Sequence, residues 1–301
     1  MLRSLLRTLR YLVGHPVHRG RPWGAVRVFA DWQLRKRTGL LALPCDVPFV
    51  NGSRFAVAPG SADSVGVVYV GLNEFWDQGF AMHFLRAGDL FVDGGANCGT
   101  YTVAVGAATD AEIIAIEPVP ATFATLQRNV ALNGLATRVS CLNIALGAQP
   151  GRVRMTASHD SMNAVIHEDV AVDADAIDVA TDTLDRLLGG RSPTMLKLDV
   201  EGYEWFALAG ATELLQRPAL TAVIVELNGT GSTYGVADAE VHRLICEAGF
   251  SPVAYSPITR ELRDLAGRQS PLGNTVYVRN LPEAQARLRS APPFTIRDRS
   301  F

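Results

Sequence analysis

Two runs of residues have types and spacing that can do chemistry. In the first, Asp93-Gly94-Gly95-Ala96-Asn97-Cys98-Gly99 follows the apolar run Leu90-Phe91-Val92 and precedes a helical stretch from Thr100. Glycines let a backbone approach a ligand closely and adopt φ values closed to other residues. The unpaired N–H groups at a helix amino terminus favour a carboxylate or phosphate. Glu117 closes the next apolar run, ahead of Pro118, and a carboxylate there suits the two hydroxyls of a ribose. The second run is Met195-Leu196-Lys197-Leu198-Asp199-Val200-Glu201-Gly202-Tyr203-Glu204, an apolar strand that carries a lysine and ends in acids. Lysine is rarely buried in a core strand without a partner.

Read as Gly94-x-Ala96-x-x-Gly99, the first run is a degenerate dinucleotide fingerprint. Asp93 argues against NAD, because an acid there repels a pyrophosphate. S-adenosylmethionine carries an ammonium and a sulfonium centre, which an acid attracts. Glu226 and Asn228 close a further strand, so Asp199 and Glu226 are expected side by side across a substrate mouth. Paired carboxylates suit a proton shuttle or an oxygen-ligand cation such as Mg²⁺. Candidates for activating an alcohol are Asp199, Glu226, and His159 or His167. Acceptor contacts are assigned to Asn73-Glu74 and to Asp160-Ser161-Met162-Asn163. Glu204 reads as complementing a helix start; Lys197 pairs with one of the neighbouring acids.

The elements that position these groups alternate. Strands are expected at Leu90–Asp93, Ile113–Glu117, Val139–Asn143, Met195–Asp199 and Ala222–Glu226, with helices from Thr100, over Ala121–Asn133, Thr183–Leu188, Glu204–Gln216 and Asp238–Ala248. Late strands near Pro252–Tyr255 and Thr275–Val278 complete the sheet. This spacing predicts an α/β fold, a parallel sheet with helices on both faces, binding ligands at the strands' carboxyl ends. Residues 151–181 read as an insertion of short polar strands. Residues 47–70 read as a β-hairpin or small sheet around the turn Asn51-Gly52, 71–86 as helix or loop, and 282–301 as a loosely attached tail. The expected organisation is a helical extension over 1–45, a catalytic domain over 46–281 with its core at 88–281, and that tail.

The chain has 301 residues, 48% hydrophobic and 19% charged, the profile of a soluble globular protein. Its net charge of −2 gives no global reason to expect nucleic acid. Nine Lys or Arg against Asp31 alone in the first 37 residues make a basic head on an acidic body. Leu2, Leu5, Leu6, Leu9, Leu12 and Val13 fall at helical spacing. This segment reads as a helix packed on the domain or on a second copy of the chain, with weak membrane-surface contact as the alternative. Cys45, Cys98, Cys141 and Cys246 are too dispersed for a metal knuckle and are read as free thiols in a reducing, cytoplasmic setting. No secretory signal or transmembrane span is expected.

The run Gly88–Thr100 closely resembles the first motif of FkbM-type methyltransferases, as do Ile116-Glu117-Pro118, Thr183-Leu184-Asp185 and Lys197–Glu204. The resemblance spans about 66–227, more loosely to 280, and carries little before residue 46. It implies a Rossmann-like sheet of seven strands, the last antiparallel, and O-methylation of a hydroxyl on a small molecule, sugar or polyketide-like product. By position, Asp93, Gly94, Gly95, Asn97 and Gly99 would hold the methionine part of S-adenosylmethionine, Glu117 the ribose, and Asn143 and Ala145 the adenine. Asp199 would face the methionine amine or the acceptor. Read from the residues, the catalytic candidates are Asp199, Glu226 and Lys197. Glu74, His159, Ser161, Asn163 and Glu201 are assigned to the acceptor. The competing readings are an NAD(P)-dependent oxidoreductase and a non-catalytic nucleoside-binding or membrane-docking module.

Overall fold

The computed structural model describes residues 2–38, 44–57, 62–157, 163–166 and 176–301. An N-terminal layer holds α1 (Leu2–Gly14), α2 (Pro22–Thr38), the hairpin β1 (Cys45–Pro48) and β2 (Arg54–Val57), α3 (Ala62–Val70) and α4 (Phe75–Phe84). The alternating body follows: β3 (Leu90–Gly94), α5 (Thr100–Ala108), β4 (Glu112–Ile116), α6 (Pro120–Leu132), β5 (Val139–Leu142), β6 (Ala145–Leu146), β7 (Gly151–Met155), β8 (Ile177–Asp182), α7 (Leu184–Leu188) and β9 (Met195–Leu198). It continues with α8 (Glu204–Ala209), β10 (Ala222–Glu226), α9 (Asp238–Glu247), β11 (Ser251–Ser256), β12 (Glu261–Asp264), β13 (Asn274–Val278), α10 (Leu281–Arg289), β14 (Thr295–Ile296) and β15 (Arg299–Ser300).

The main sheet has eight strands in the order β12-β11-β13-β10-β9-β3-β4-β5. Strands β10, β9, β3, β4 and β5 are parallel, and β13 runs antiparallel to β10 and β11. The expected seven strands are thus joined by an eighth, the edge strand β12, whose sequence Glu-Leu-Arg-Asp is mostly exposed and gives little apolar signal. The parallel strands are buried on both faces, which is why they read as unbroken apolar runs. The helix expected over 204–216 divides at Gly210, where an added Cβ would lie 2.2 Å from the Gly147 carbonyl oxygen.

The Asn51-Gly52 hairpin forms as expected, but residues 62–70 are helical rather than part of a sheet. Asn129 of α6 and Asn133, which caps the carboxyl end of that helix, bind the hairpin as a neighbouring strand would. Asn129 accepts the Ala56 N–H at 2.8 Å, and Asn133 both accepts from and donates to Arg54, each at 2.8 Å. Asn129 also donates to the Cys98 carbonyl at 2.8 Å, coupling the hairpin to the glycine loop.

The last twenty residues are a packed element, which corrects their reading as a loose tail. Leu288, Phe294 and Ile296 are fully buried, and Phe294 and Phe301 exchange backbone hydrogen bonds of 3.1 and 2.9 Å. The Arg299 guanidinium donates to the carbonyls of Pro16, Val17 and Arg19, and Arg297 to those of Val68 and Tyr69. Apolar burial of this kind contributes about 25 cal/mol per Å² of surface removed from water. The helical extension is itself built onto the body, with Leu12, Ala25 and Trp32 buried against Tyr69 and Val70.

Candidate functional site

A cleft opens at the carboxyl ends of β10, β9, β3 and β4. Its wall includes Gly95, Ala96 and Asn97 of the glycine loop, Glu117 after β4, Lys197, Asp199 and Glu201 at the end of β9, and Glu226 at the end of β10. The glycine loop is held from two sides. Gly95 and Ala96 N–H both donate to the Ile116 carbonyl (3.0 and 2.9 Å), and the Asp199 N–H donates to the Gly94 carbonyl at 3.1 Å. Gly95 has φ +71°, and a Cβ on it would lie 1.8 Å from the Asp199 carbonyl oxygen. Its missing side chain therefore admits the end of β9. Gly99 begins α5 at φ +93°, where a Cβ would press on Leu126 at 2.7 Å.

Asp93 is placed differently from the sequence expectation. It is fully buried, does not reach the cleft wall, and sits directly across from Lys197 in the β3–β9 register. Thr102 donates to it at 2.6 Å, and the Lys197 ammonium lies 3.7 Å away. Burial pushes the Asp93 carboxyl up, against the opposing pull of Lys197. The strand's register turns Asp93 toward α5, so it supports the loop through Lys197. Lys197 donates to the Gly95 carbonyl at 3.0 Å, lies 3.3 Å from Asp199, and sits 5.0 Å from the Tyr101 ring centre. Burial alone would lower the Lys197 pKa. Asp199 and Asp93 outweigh it and raise the value, so the group stays charged.

Glu117 is nearly buried, and its two oxygens accept the Asn97 N–H at 3.0 Å and the Val119 N–H at 2.8 Å. A carboxylate has about four acceptor positions, so it keeps capacity for a diol. Burial raises it to about 7, opposed by those two N–H donors. Asn143 lies outside the cleft wall and donates to the Glu117 and Pro118 carbonyls (2.8 and 2.9 Å), whereas Ile144, Ala145 and Leu146 do line it. Gly94 and Gly99 support the wall without forming it.

The carboxylates of Asp199, Glu201 and Glu226 come within 4.8 Å of one another, so the expected pair is a trio. Burial first, then Asp199 and Glu201, push Glu226 up to about 9. Like charges at this separation disfavour simultaneous ionisation, so near neutrality the trio holds a proton. Its donor set is also one that an oxygen-ligand cation could use. Glu201 takes φ +54°, a left-handed conformation that non-glycine residues rarely adopt. Glu204 accepts the Val200 and Gly202 N–H groups (2.9 and 3.2 Å), fixing the turn that presents Glu201. Asn228 caps its own turn, accepting from the Thr230 N–H at 3.0 Å.

Of the acceptor candidates, Asn73, Glu74, Asn163 and Glu201 line the cleft. His159, Asp160, Ser161, Met162 and His167 lie outside the described residues. Several participants carried no sequence signal. Tyr101 donates to Glu74 at 2.5 Å, and Asn274 of β13 donates to the same oxygen at 2.6 Å. Tyr203 lines the cleft, stacked on Phe206 at 4.3 Å with Tyr234 edge-on at 5.2 Å. Asp185 of the Thr183-Leu184-Asp185 motif accepts the Glu213 and Leu214 N–H groups (3.0 and 2.8 Å), away from the cleft.

Residues 93–252 match the family of the methyltransferase FkbM domain. None of the curated proteins matches the sequence. Among solved structures, the chain resembles a methyltransferase FkbM from Methylobacillus flagellatus KT, at 15% identity and TM-score 0.44, covering 73% of this chain and 55% of that one. It also resembles a putative transferase from Pyrococcus horikoshii at 17% identity, TM-score 0.39, covering 77% and 71% of the two chains. A third is a SAM-dependent O-methyltransferase from Thermotoga maritima at 13% identity, TM-score 0.36, covering 67% and 63%. The chain thus spans just over half the length of the first of these.

Proposed function

This chain belongs to the FkbM methyltransferase family, and from that premise we propose that its cleft binds S-adenosylmethionine and methylates a hydroxyl of a small molecule, sugar or natural product. The observation that carries this reading is one cleft in which the glycine loop, Glu117 and the trio of Asp199, Glu201 and Glu226 meet across four adjacent strands. The cofactor, when bound, supplies an electrophilic methyl group on a sulfonium centre.

Glu117 would hold the ribose hydroxyls, with Ile144, Ala145 and Leu146 as the apolar wall beside the base. Gly95, Ala96 and Asn97 would border the methionine part, on a loop that Lys197 and Asp93 keep in place. Glu74 and Glu201 would orient the acceptor, together with Asn163. The chemistry so supplied would be displacement at the methyl carbon by an acceptor oxygen, with the departing electron pair left on sulfur. The hydroxyl proton passes to the Asp199–Glu226 pair. Most of the acceleration comes from alignment, for which effective molarities of about 10⁵–10⁸ M are known.

Calorimetric titration with S-adenosylhomocysteine and with NADH tests the cofactor assignment. Heat with NADH alone would instead mark a dinucleotide enzyme. Methyl transfer from labelled S-adenosylmethionine to a panel of hydroxylated acceptors, with and without EDTA, tests the chemistry. Turnover that survives EDTA assigns the neutralisation of the trio to a proton. Turnover that is lost and then restored by Mg²⁺ assigns it to a metal ion.

A further inference from the structure

We propose that the α1–α2 layer docks the protein on an anionic lipid surface, with Trp23 and Leu34 seated at headgroup depth. The outward face of α2 carries the argument. Trp23, Arg27, Ala30, Leu34 and Arg37 recur at helical spacing and are all exposed, Trp23 at 81% and Leu34 at 60%, while Ala25 and Trp32 on the opposite side are buried. That face pairs apolar side chains with arginines, and the one acid at its edge, Asp31, is neutralised by Arg35, a composition that suits a helix lying in a membrane interface. Tryptophan is enriched at this depth because one end of the ring is apolar and the other polar.

The neighbouring helix adds to it. Val13 is 38% and Tyr11 49% exposed on α1, beside exposed Arg7 and Arg10. Among the described residues, four of the seven large exposed apolar side chains therefore belong to α1 and α2. Singly, such residues need no explanation; gathered beside arginines, they mark a contact surface. Charge selects the occupant. The first 37 residues carry nine Lys or Arg and one acid, in a chain of net charge −2, and that acid, Asp31, already pairs with Arg35 at 2.9 Å. A second copy meeting this face through its own would set arginines against arginines, whereas an anionic bilayer supplies both negative charge and an apolar layer.

The layer also adjoins the cleft. The Tyr11 hydroxyl donates to the Asn73 carbonyl at 3.3 Å, and Asn73 lines the cleft wall. Docking through α1 and α2 would hold the cleft next to the lipid headgroups.

The test is sedimentation of the full chain with vesicles of phosphatidylcholine alone and of phosphatidylcholine mixed with phosphatidylglycerol. The expected result is cosedimentation with the mixed vesicles, release by high salt, and no binding to the neutral ones. Reversing Arg7 and Arg10 to Glu, or replacing Trp23 and Leu34 by Glu, is expected to lower the partition coefficient by about tenfold or more. These side chains are exposed and lie outside the cleft, so S-adenosylhomocysteine heat measured on each variant verifies that it has folded. No binding to the mixed vesicles, equal binding to both kinds, or a dimer that the Trp23→Glu/Leu34→Glu variant splits would overturn the proposal.

Discussion

Replacing Gly95 by alanine separates two reasons for a glycine in the cofactor loop. If the residue only clears space for a ligand, the empty protein should tolerate a methyl group. The structure places that methyl 1.8 Å from the Asp199 carbonyl oxygen, where real contacts do not fall below 3.0 Å, so the two backbones must part by at least 1.2 Å. Neither side is a flexible side chain. The φ of +71° adds about 1–2 kcal/mol for a residue with a Cβ. Separation also weakens the Asp199 N–H bond to Gly94 and the Lys197 bond to the Gly95 carbonyl, worth about 1 and about 2 kcal/mol. The total loss is about 4–5 kcal/mol, which for a chain of 301 residues lowers Tm by roughly 6–8 °C. Differential scanning calorimetry of the ligand-free protein reads it directly. Gly88→Ala is the control: it has φ +86° with nothing within 4 Å of the added carbon, so only the backbone penalty applies. A Gly95→Ala protein as stable as Gly88→Ala, yet unable to bind S-adenosylhomocysteine, would refute the steric reasoning.

Turnover should rise with pH and level off near 9, because Glu226 holds its proton up to about 9 and the Asp199–Glu226 pair takes the acceptor proton only after losing it; Glu226→Gln should remove that limb from the kcat profile. Lys197→Met leaves buried Asp93 without its counter-charge and should cost about 3–5 kcal/mol in urea unfolding. Adding Asp93→Asn should recover part of that loss. Burial, then the neighbouring Glu74, raises Asp77 to about 8, whereas in the unfolded chain it titrates near 4. Between those values the folded state keeps a proton the unfolded state has lost, so this contribution to stability is complete below pH 4 and declines as pH rises through 8. Urea midpoints should fall less steeply over that window in Asp77→Asn, and identical slopes would count against the assignment.

The parallel strands and the glycine loop were legible because strands buried on both faces write themselves as apolar runs ended by glycine or acid. Strand β12 was not, since an exposed edge has no such pattern. Residues 62–70 are rich in valine and read as sheet, yet tertiary packing makes them a helix. The direction of Asp93 was hidden for a different reason. Its partner Lys197 lies 104 positions away, and only the parallel register of β3 with β9 sets the two side by side. Asn129 and Tyr101 were invisible because their partners, the hairpin edge and Glu74, come from distant segments of the chain.

The Arg299 and Arg297 contacts turn the two ends of the polypeptide into a clasp. Three carbonyls near residue 17 are satisfied by Arg299 of the final strand and two in α3 by Arg297 of the turn before it, and Phe301 closes the hairpin on itself. Val17 and Tyr69 are buried, and a buried carbonyl stripped of its donors costs about 1–3 kcal/mol. The first helices therefore cannot swing out on a hinge while the last residues stay put. Whatever meets the outer face of α2 meets a plate bolted to the catalytic body, so the height of the cleft above that surface is fixed by the fold.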